Sequence, residues 1–447
     1  MTNRYSKVLL AMAGVACAAP VFAKKQAPSK AKQPNVLIIF TDDQGYADMG
    51  CFGNTQNRTP VIDQLYAEGM HFTNFYAQPV SGASRAALLT GRYPARNGGK
   101  NMVGSETTLA EYAKSAGYQT ACIGKWDLSG RKPVIEQMAN AQGFDYYYGP
   151  IGANDNGFID IYENNELVVA KERRMDALLK MYTDKAINYL TEQRDKDKPF
   201  VLYLAHTMMH VVVGASEDFK GKSKGGLYGD VVEEFDYETG RLLKILKDLG
   251  LEDDTIIIYA TDNGPWCQTK YTQRKNHLKN YPAGSIFWGD PGVLRAGKGS
   301  AYEGGSRVQC IIKWNGVIEP GSRRDGLAAT IDFVPTLAGV MGYKIPSSIR
   351  MDGVDQSSMI FGRSNKSKRE NFCYIQHNHI SRFVAIRDER WKLLLPERKI
   401  NTVYLMDFGT NDYELYDLKN DIGEKNNIVD KYPKIVERLK AELQKVY

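Results

Sequence analysis

Val36-Leu37-Ile38-Ile39-Phe40 is five large apolar residues without a polar interruption, and comparable runs return at residues 119–123, 200–204 and 255–259. A strand that is apolar on both sides has to be covered on both sides, which places it inside a mostly parallel sheet with helices on each face. The intervening segments carry the matching helix patterns. Thr59-Pro60 caps and starts a helix that Gly69 ends. Thr107 or Thr108 opens another, closed at Gly117. Residues 230–249 form a long amphipathic helix, with Val232, Phe235, Leu242, Ile245, Leu246 and Leu249 approximating one face and Gly250 as its stop. Residues 308–312 add a further strand. The fold class is therefore α/β, a large mostly parallel mixed sheet flanked by helices, spanning residues 34–365. Past the charged stretch Asn365 to Arg369 come short alternating segments at 383–387, 391–395 and 414–417, then a helix from about Tyr432. Residues 366–447 read as a small C-terminal antiparallel sheet carrying one helix.

The first residues stand apart from this pattern. Arg4 and Lys7 precede an apolar run from Val8 to Ala19, and Val21-Phe22-Ala23 offers small residues for cleavage, the three-part form of a secretory signal peptide over residues 1–23. An alternative cleavage before Cys17 would leave its thiol lipidated. Residues 24–33 read as a flexible basic tail. No later stretch reaches the ~20 apolar residues of a transmembrane helix, so the chain is expected outside the cytoplasm, in the periplasm, without a transmembrane segment. Its formal charge of +6 falls to +4 once Arg4 and Lys7 leave, a balance that does not argue for nucleic acid. Of six cysteines, Cys51, Cys122, Cys267, Cys310 and Cys373 remain after cleavage. Their irregular spacing shows neither a CxxC pair nor a metal cluster, and they read as buried small hydrophobes.

In open parallel sheets ligands bind beyond the carboxyl ends of the strands. Four expected strands run into chemistry-bearing residues there: Asp42 and Asp43 after the first, Lys125, Trp126 and Asp127 after the second, His206 and His210 after the third, Asp262 and Asn263 after the fourth. Two aspartates from one loop and an Asp-Asn pair from another make an all-oxygen set suited to calcium or magnesium. Each alone is an ordinary turn or cap. The fifth element is Ser81-Gly82-Ala83-Ser84-Arg85, placing Ser81 at the mouth of a helix that starts near Ser84 and ends at Gly91, where free N–H groups favour anions.

This last stretch resembles the signature of the formylglycine-dependent sulfatases, a family of the alkaline phosphatase superfamily, in its serine-type bacterial form. Ser81, Ala83 and Arg85 fit the signature, and residues 89–94 fit its usual continuation. Residues 35–48 resemble the family's first metal loop and residues 260–265 its second. Residues 294–307 resemble its lysine segment, with Lys298, and Arg390 to Lys392 and Glu414 to Asp417 its C-terminal part. The resemblance implies hydrolysis of a sulfate ester, by analogy on a carbohydrate. It implies a calcium ion held by Asp42, Asp43, Ser81, Asp262 and Asn263, and Ser81 converted to formylglycine by a serine-oxidising maturation enzyme. The hydrated aldehyde would attack sulfur and form a covalent sulfated enzyme. Lys125, Lys298 and Arg85 would neutralise the substrate's oxygens or hold the diol. His210, aided by Lys298, would give the leaving alcohol its proton. Lys125, His210 and Lys298 are the expected substrate contacts.

Asp127 stands where the family usually carries histidine. Aspartate is intrinsically the weaker base by ~2.6 pKa units, so either a neighbour compensates, Asp127 itself serves as base, or turnover is slow. Two rivals remain: a two-zinc phosphatase of the same superfamily, for which the six scattered histidines supply no set of ligands, and a non-catalytic module that binds sulfated glycans. Trp126, Tyr146 to Tyr148, Trp266 and Trp288 are candidate platforms for sugar rings or, equally, core.

Overall fold

The structure is a computed structural model describing residues 33–267, 281, 285–376, 379–396 and 412–447. The expected leader, the Cys17 site and nearly all of the basic tail lie outside the described residues. So do His277 and His377, and the side chain of His379 is not described.

The strands in chain order are β1 (Asn35–Thr41), β2 (Met70–Phe72), β3 (Phe75–Tyr76), β4 (Gln119–Gly124), β5 (Tyr146–Pro150), β6 (Ile159–Glu163), β7 (Glu166–Glu172), β8 (Phe200–Ala205), β9 (Thr255–Thr261), β10 (Cys310–Lys313), β11 (Ser322–Arg324), β12 (Ala328–Ala329), β13 (Phe372–Gln376), β14 (His379–Arg387), β15 (Trp391–Leu394) and β16 (Glu414–Asp417). Ten of them form one mixed sheet in the order β11-β2-β10-β9-β1-β8-β4-β5-β6-β7. Its centre is parallel, β9, β1, β8, β4 and β5 pairing in turn. The β5–β6–β7 edge and the β9–β10–β2 side contain antiparallel pairs. Among the described residues, the helices of seven residues or more are α1 (Pro60–Glu68), α2 (Ser81–Thr90), α3 (Leu109–Ser115), α4 (Leu178–Asn188), α5 (Gly226–Asp248), α6 (Phe333–Val340) and α7 (Pro433–Val446).

The uninterrupted apolar runs do what their composition requires. Val36, Ile38 and Phe40 face one apolar cluster with Leu88 and Leu89 of α2, Leu109 of α3 and Val334 of α6. Leu37 and Ile39 face the other, with Ile62 and Leu65 of α1, Leu178 of α4 and Phe235 of α5. The five apolar side chains of β1, Val36 to Phe40, are fully buried, each worth on the order of 2 kcal/mol. The C-terminal strands form a four-stranded antiparallel sheet in the order β13-β14-β15-β16. It shares a third apolar cluster with Leu439 and Leu443 of α7, and with Val80, Ala83 and Ala87 at the start of α2.

Several local expectations need correction. α2 begins at Ser81, three residues early, because Ser84 N–H already bonds Val80 O (3.0 Å). Thr59 does not cap α1 with its side chain; the Asp236 carboxylate of α5 accepts from Val61 and Ile62 N–H instead. Leu249 lies beyond α5 and is 38% exposed rather than on its buried face. The β6–β7 hairpin, α4 and β13 were not expected; β7 is largely exposed, so it carries no sustained apolar pattern. The five cysteines are free: Cys122, Cys310 and Cys373 buried, Cys51 and Cys267 half-buried. Among the described residues, no helix is long and apolar enough to cross a membrane.

Candidate active site

The strands that lead into Asp42, Asp127, His206 and Asp262 are neighbours, β9-β1-β8-β4, so their carboxyl ends share one rim. Short backbone bonds tie the loops together: Asp262 N–H to Thr41 O (3.2 Å), Asp42 N–H to Met208 O (3.0 Å) and Lys125 N–H to Ala205 O (2.6 Å). Two glycines permit this closeness. At Gly124, φ is +106° and a Cβ would stand 1.9 Å from Ala205 O. At Gly264 a Cβ would stand 1.7 Å from Gly304 O, in the lysine segment.

Asp42, Asp43 and Asp262, at most 1% exposed, present carboxylate oxygens within 4.8 Å of one another. Lys125 Nζ lies 2.6 Å from Asp42 Oδ2, Lys298 Nζ 2.5 Å from Asp43 Oδ1, and Arg85 Nη2 2.9 Å from Asp262 Oδ2. Three buried carboxylates thus face three buried cations. Burial pushes Asp43 up to about 7 and Asp262 up to about 6, in each case with Asp42 crowding it and nearby cations only partly offsetting the rise. Burial acts on Asp42 too, but Lys125, His210, Arg85 and Lys298 together outweigh it and hold that carboxyl well below its ordinary value.

Ser81, the first residue of α2, aims its hydroxyl into this cluster. Its Oγ lies 2.8 Å from Asp42 Oδ1 and 3.2 Å from Asn263 Oδ1. The Asn263 orientation is fixed because its Nδ2 donates to Asp43 Oδ1 (2.8 Å) and to Gly264 O (2.7 Å). One hydroxyl hydrogen cannot serve both oxygens facing it. Oxygens converging without protons between them fit a hard cation, and the donor set is the one calcium takes. The same geometry fits an oxidised residue 81, whose oxygens would join that set.

Arg85 sits differently from the expectation. It is fully buried behind Asp262, and also donates to Lys125 O, Tyr203 Oη and His206 O, so its donors are taken up by the protein. His210 turns Nδ1 to Val211 O and Nε2 into the site, 3.6 Å from both Asp43 Oδ2 and Asp155 Oδ1. Burial first and Lys298 second lower its pKa to about 3, so the ring is neutral here. His206 is also lowered to about 3 by burial, and its ring packs against Phe235 and Tyr182 as core. His71 bonds Tyr66 Oη and lies on β2, away from this rim.

Asp127 enters the site with φ +54°, 2% exposed. Its Oδ1 accepts from Arg131 Nε (3.0 Å), and its Oδ2 is 3.5 Å from Lys125 Nζ. Burial opposes ionisation, but Lys125 and Arg131 outweigh it and keep the carboxyl below its ordinary value. A carboxylate so held is a poor proton acceptor. Arg131 and Asp155 were not anticipated from the sequence. Trp126 is fully buried with Nε1 bonded to Gln137 O, and Tyr147 is buried too, so both are core. Trp266 stays half-buried, with its ring 5.9 Å from Lys298 Nζ.

The Lys298 segment is pinned from several directions. Lys298 N–H bonds Pro265 O (2.9 Å) and Gly299 N–H bonds Pro79 O (2.7 Å). Five residues on, the buried Glu303 carboxylate takes Lys392 Nζ (2.8 Å), Arg307 Nε (2.7 Å) and Tyr76 Oη (2.7 Å). Its backbone N–H donates to Glu424 Oε2 (2.6 Å). The C-terminal sheet thus holds the lysine segment against the rim.

All ten expected site residues meet in this one place. The sulfatase family model matches residues 34–343, and the model for the C-terminal region of N-sulphoglucosamine sulphohydrolase matches residues 297–447. Arylsulfatase A of Bos taurus is 32% identical, over 93% of this chain and 87% of its own. An N-acetylgalactosamine-6-O-sulfatase of Bacteroides thetaiotaomicron is 30% identical over 95% of each. A Bacteroides thetaiotaomicron structure solved in work on the metabolism of multiple glycosaminoglycans superposes with a TM-score of 0.81 at 26% identity. That match covers 93% of this chain and 99% of the other.

Proposed function

The chain belongs to the sulfatase family, and from that premise we propose that it hydrolyses a sulfate ester on a carbohydrate, using formylglycine made from Ser81 and a bound calcium ion. The observation that carries the reading is the Ser81 hydroxyl aimed at Asp42 Oδ1 and Asn263 Oδ1 beside three buried carboxylates and three buried cations. Hydrated formylglycine supplies an oxygen nucleophile at neutral pH, which serine alone does not, and calcium supplies positive charge to the sulfate oxygens.

Asp42, Asp43, Asp262 and Asn263 would hold the ion together with residue 81. The three carboxylates are balanced by Arg85, Lys125 and Lys298, so a divalent ion leaves the pocket with a net positive charge that attracts a sulfate ester. Lys125 and Lys298 are placed to donate to its oxygens, fixed in advance by their own carboxylates. Arg85 holds Asp262 from behind rather than touching substrate. Asp127 holds Lys125 and Arg131 rather than abstracting a proton. His210 directs Nε2 at the leaving oxygen. An anionic ester beside it counters the influence of Lys298 and favours the protonated ring, which then gives its proton to the departing alcohol.

A carbohydrate substrate follows the Bacteroides relative, an N-acetylgalactosamine-6-O-sulfatase. A serine-oxidising partner is required for maturation, and the leader over residues 1–23 would carry the protein to the periplasm. The test pairs two measurements on protein purified from a host able to oxidise serine. Mass spectrometry of the Ser81 peptide should show loss of two hydrogens, and ion chromatography should show sulfate released from at least one sugar sulfate. Fully converted protein that releases none from a positional panel would overturn the proposal.

A further inference from the structure

We propose that Asp155 and Arg131 at the mouth of the site, with Asp127 buried behind them, form a clamp that reads a free hydroxyl on the sugar close to the ester being cut. The clamp rests on the sulfate-ester reading above and names the substrate feature that the mouth selects.

Exposure marks where the site opens. Lys125, Asp42 and Asp43 are sealed and Lys298 and His210 nearly so, whereas the Asp155 side chain is 35% exposed and that of Arg131 43%. Among the described charged residues that contact the buried site groups, Asp155 and Arg131 are the ones that reach solvent. Arg131 bridges the pair, Nε to Asp127 Oδ1 at 3.0 Å and Nη1 to Asp155 Oδ2 at 2.7 Å. Each carboxylate then keeps its second oxygen toward the reacting groups. Asp127 Oδ2 lies 3.5 Å from Lys125 Nζ and Asp155 Oδ1 lies 3.6 Å from His210 Nε2, ion-pair distances at which no hydrogen bond is formed. Both inner oxygens therefore have lone pairs to offer.

What they can accept defines the ligand. An ionised carboxylate only accepts hydrogen bonds, and so does a sulfate oxygen, so the two repel at contact. Two carboxylates beyond the metal set, in a site built for an anion, oppose binding unless the substrate brings donors to them. A sugar hydroxyl beside the ester is such a donor, and a charge-assisted bond to it is among the stronger kinds. A second sulfate at that carbon is disfavoured. The clamp is also rigid. Asn154, adjacent to Asp155, donates to His210 O (3.0 Å) and Val212 O (2.7 Å), and Asn101 bridges Ser129 between the other two members. Such anchoring fixes the acceptors before the sugar arrives.

The test separates recognition from turnover. Galactose 2-, 3-, 4- and 6-sulfates and N-acetylgalactosamine 6-sulfate are titrated by calorimetry into Ser81→Ala protein with calcium present. The tightest binder is then compared with two analogues, one lacking the nearest free ring hydroxyl (that on C4 for a 6-sulfate, whose C5 carries none) and one sulfated there. The expected loss is about 10- to 100-fold for the deoxy compound, and no less for the disulfate. In Ser81→Ala protein that also carries Asp155→Ala, and separately Arg131→Ala, the preference should shrink to within about threefold. Equal or tighter binding of either analogue, an undiminished preference in both variants, or binding of no sugar sulfate at all overturns the clamp. Sulfate release by the Ser81-modified protein is scored separately. Discrimination without release keeps the clamp and sinks the hydrolase reading; release without discrimination does the reverse.

Discussion

Removing divalent metal with a chelator and returning calcium tests the charge arithmetic of the site directly. Asp42, Asp43 and Asp262 are buried together, and in the metal-free protein Asp43 rises to about 7 and Asp262 to about 6 through burial and mutual crowding. Both exceed the ~3.9 of an aspartate in an unfolded chain, so the metal-free folded state binds these protons more tightly than the unfolded state. Their contribution to stability is fully present below pH ~4 and is lost as pH rises through 6 to 7. Asp42, held low, stays ionised across that window. Calcium at one hundred times its Kd would stabilise the fold by about 2.7 kcal/mol. For roughly 400 folded residues, that raises Tm by about 3 °C. Protons compete for the same oxygens at low pH, so at a fixed calcium concentration the rise should be larger at pH 8 than at pH 5. Differential scanning calorimetry at both pH values, on wild type and Asp262→Asn, measures it. A rise of equal size in the variant, a larger rise at pH 5, or none at pH 8 in millimolar calcium would refute the reasoning.

Other consequences are as specific. His210→Gln should lower kcat by about 10²- to 10⁴-fold with a smaller change in KM, read by steady-state sulfate release. Lys392→Met leaves Glu303 and Glu424 buried without the ammonium that lies 2.8 and 2.9 Å from them, and should cost about 3–5 kcal/mol in urea denaturation. Gly264→Ala drives a methyl into Gly304 O and should separate the Asp262–Asn263 loop from the lysine segment, with kcat falling at least about tenfold where the protein still folds. Asp127→Asn should lower kcat/KM by about tenfold or more, because Lys125 and Arg131 lose the charge that fixes them.

Much of the site was legible because Asp42, Asp43, Lys125, Asp127, His210, Asp262 and Asn263 follow strands whose own composition announces them. Val36 to Phe40 needs no partner to be read as a buried strand, and Asp42 and Asp43 come next in the chain. Ser81 and Arg85 were legible only through the resemblance to the sulfatase signature, since their spacing alone means little without the other matched segments. Asp155 was invisible for the opposite reason. It sits in Gly152-Ala153-Asn154-Asp155-Asn156-Gly157, a composition that any turn would share, and its meaning comes from His210 and Arg131, which are remote in the chain. The β6–β7 hairpin was missed because an exposed edge strand carries no apolar run.

The order of residues along the chain determined which side chains leave the ends of the strands, since apolar runs and turn residues are local properties. The tertiary structure decided what those side chains are for. It put Arg85 behind Asp262 instead of before a substrate, fastened Asp127 between two cations, and used the C-terminal sheet to hold Lys298 through Glu303. Those outcomes depend on through-space electrostatics among buried groups, where a charge a few ångströms away outweighs any chain neighbour. Sequence patterns carry no record of such distances.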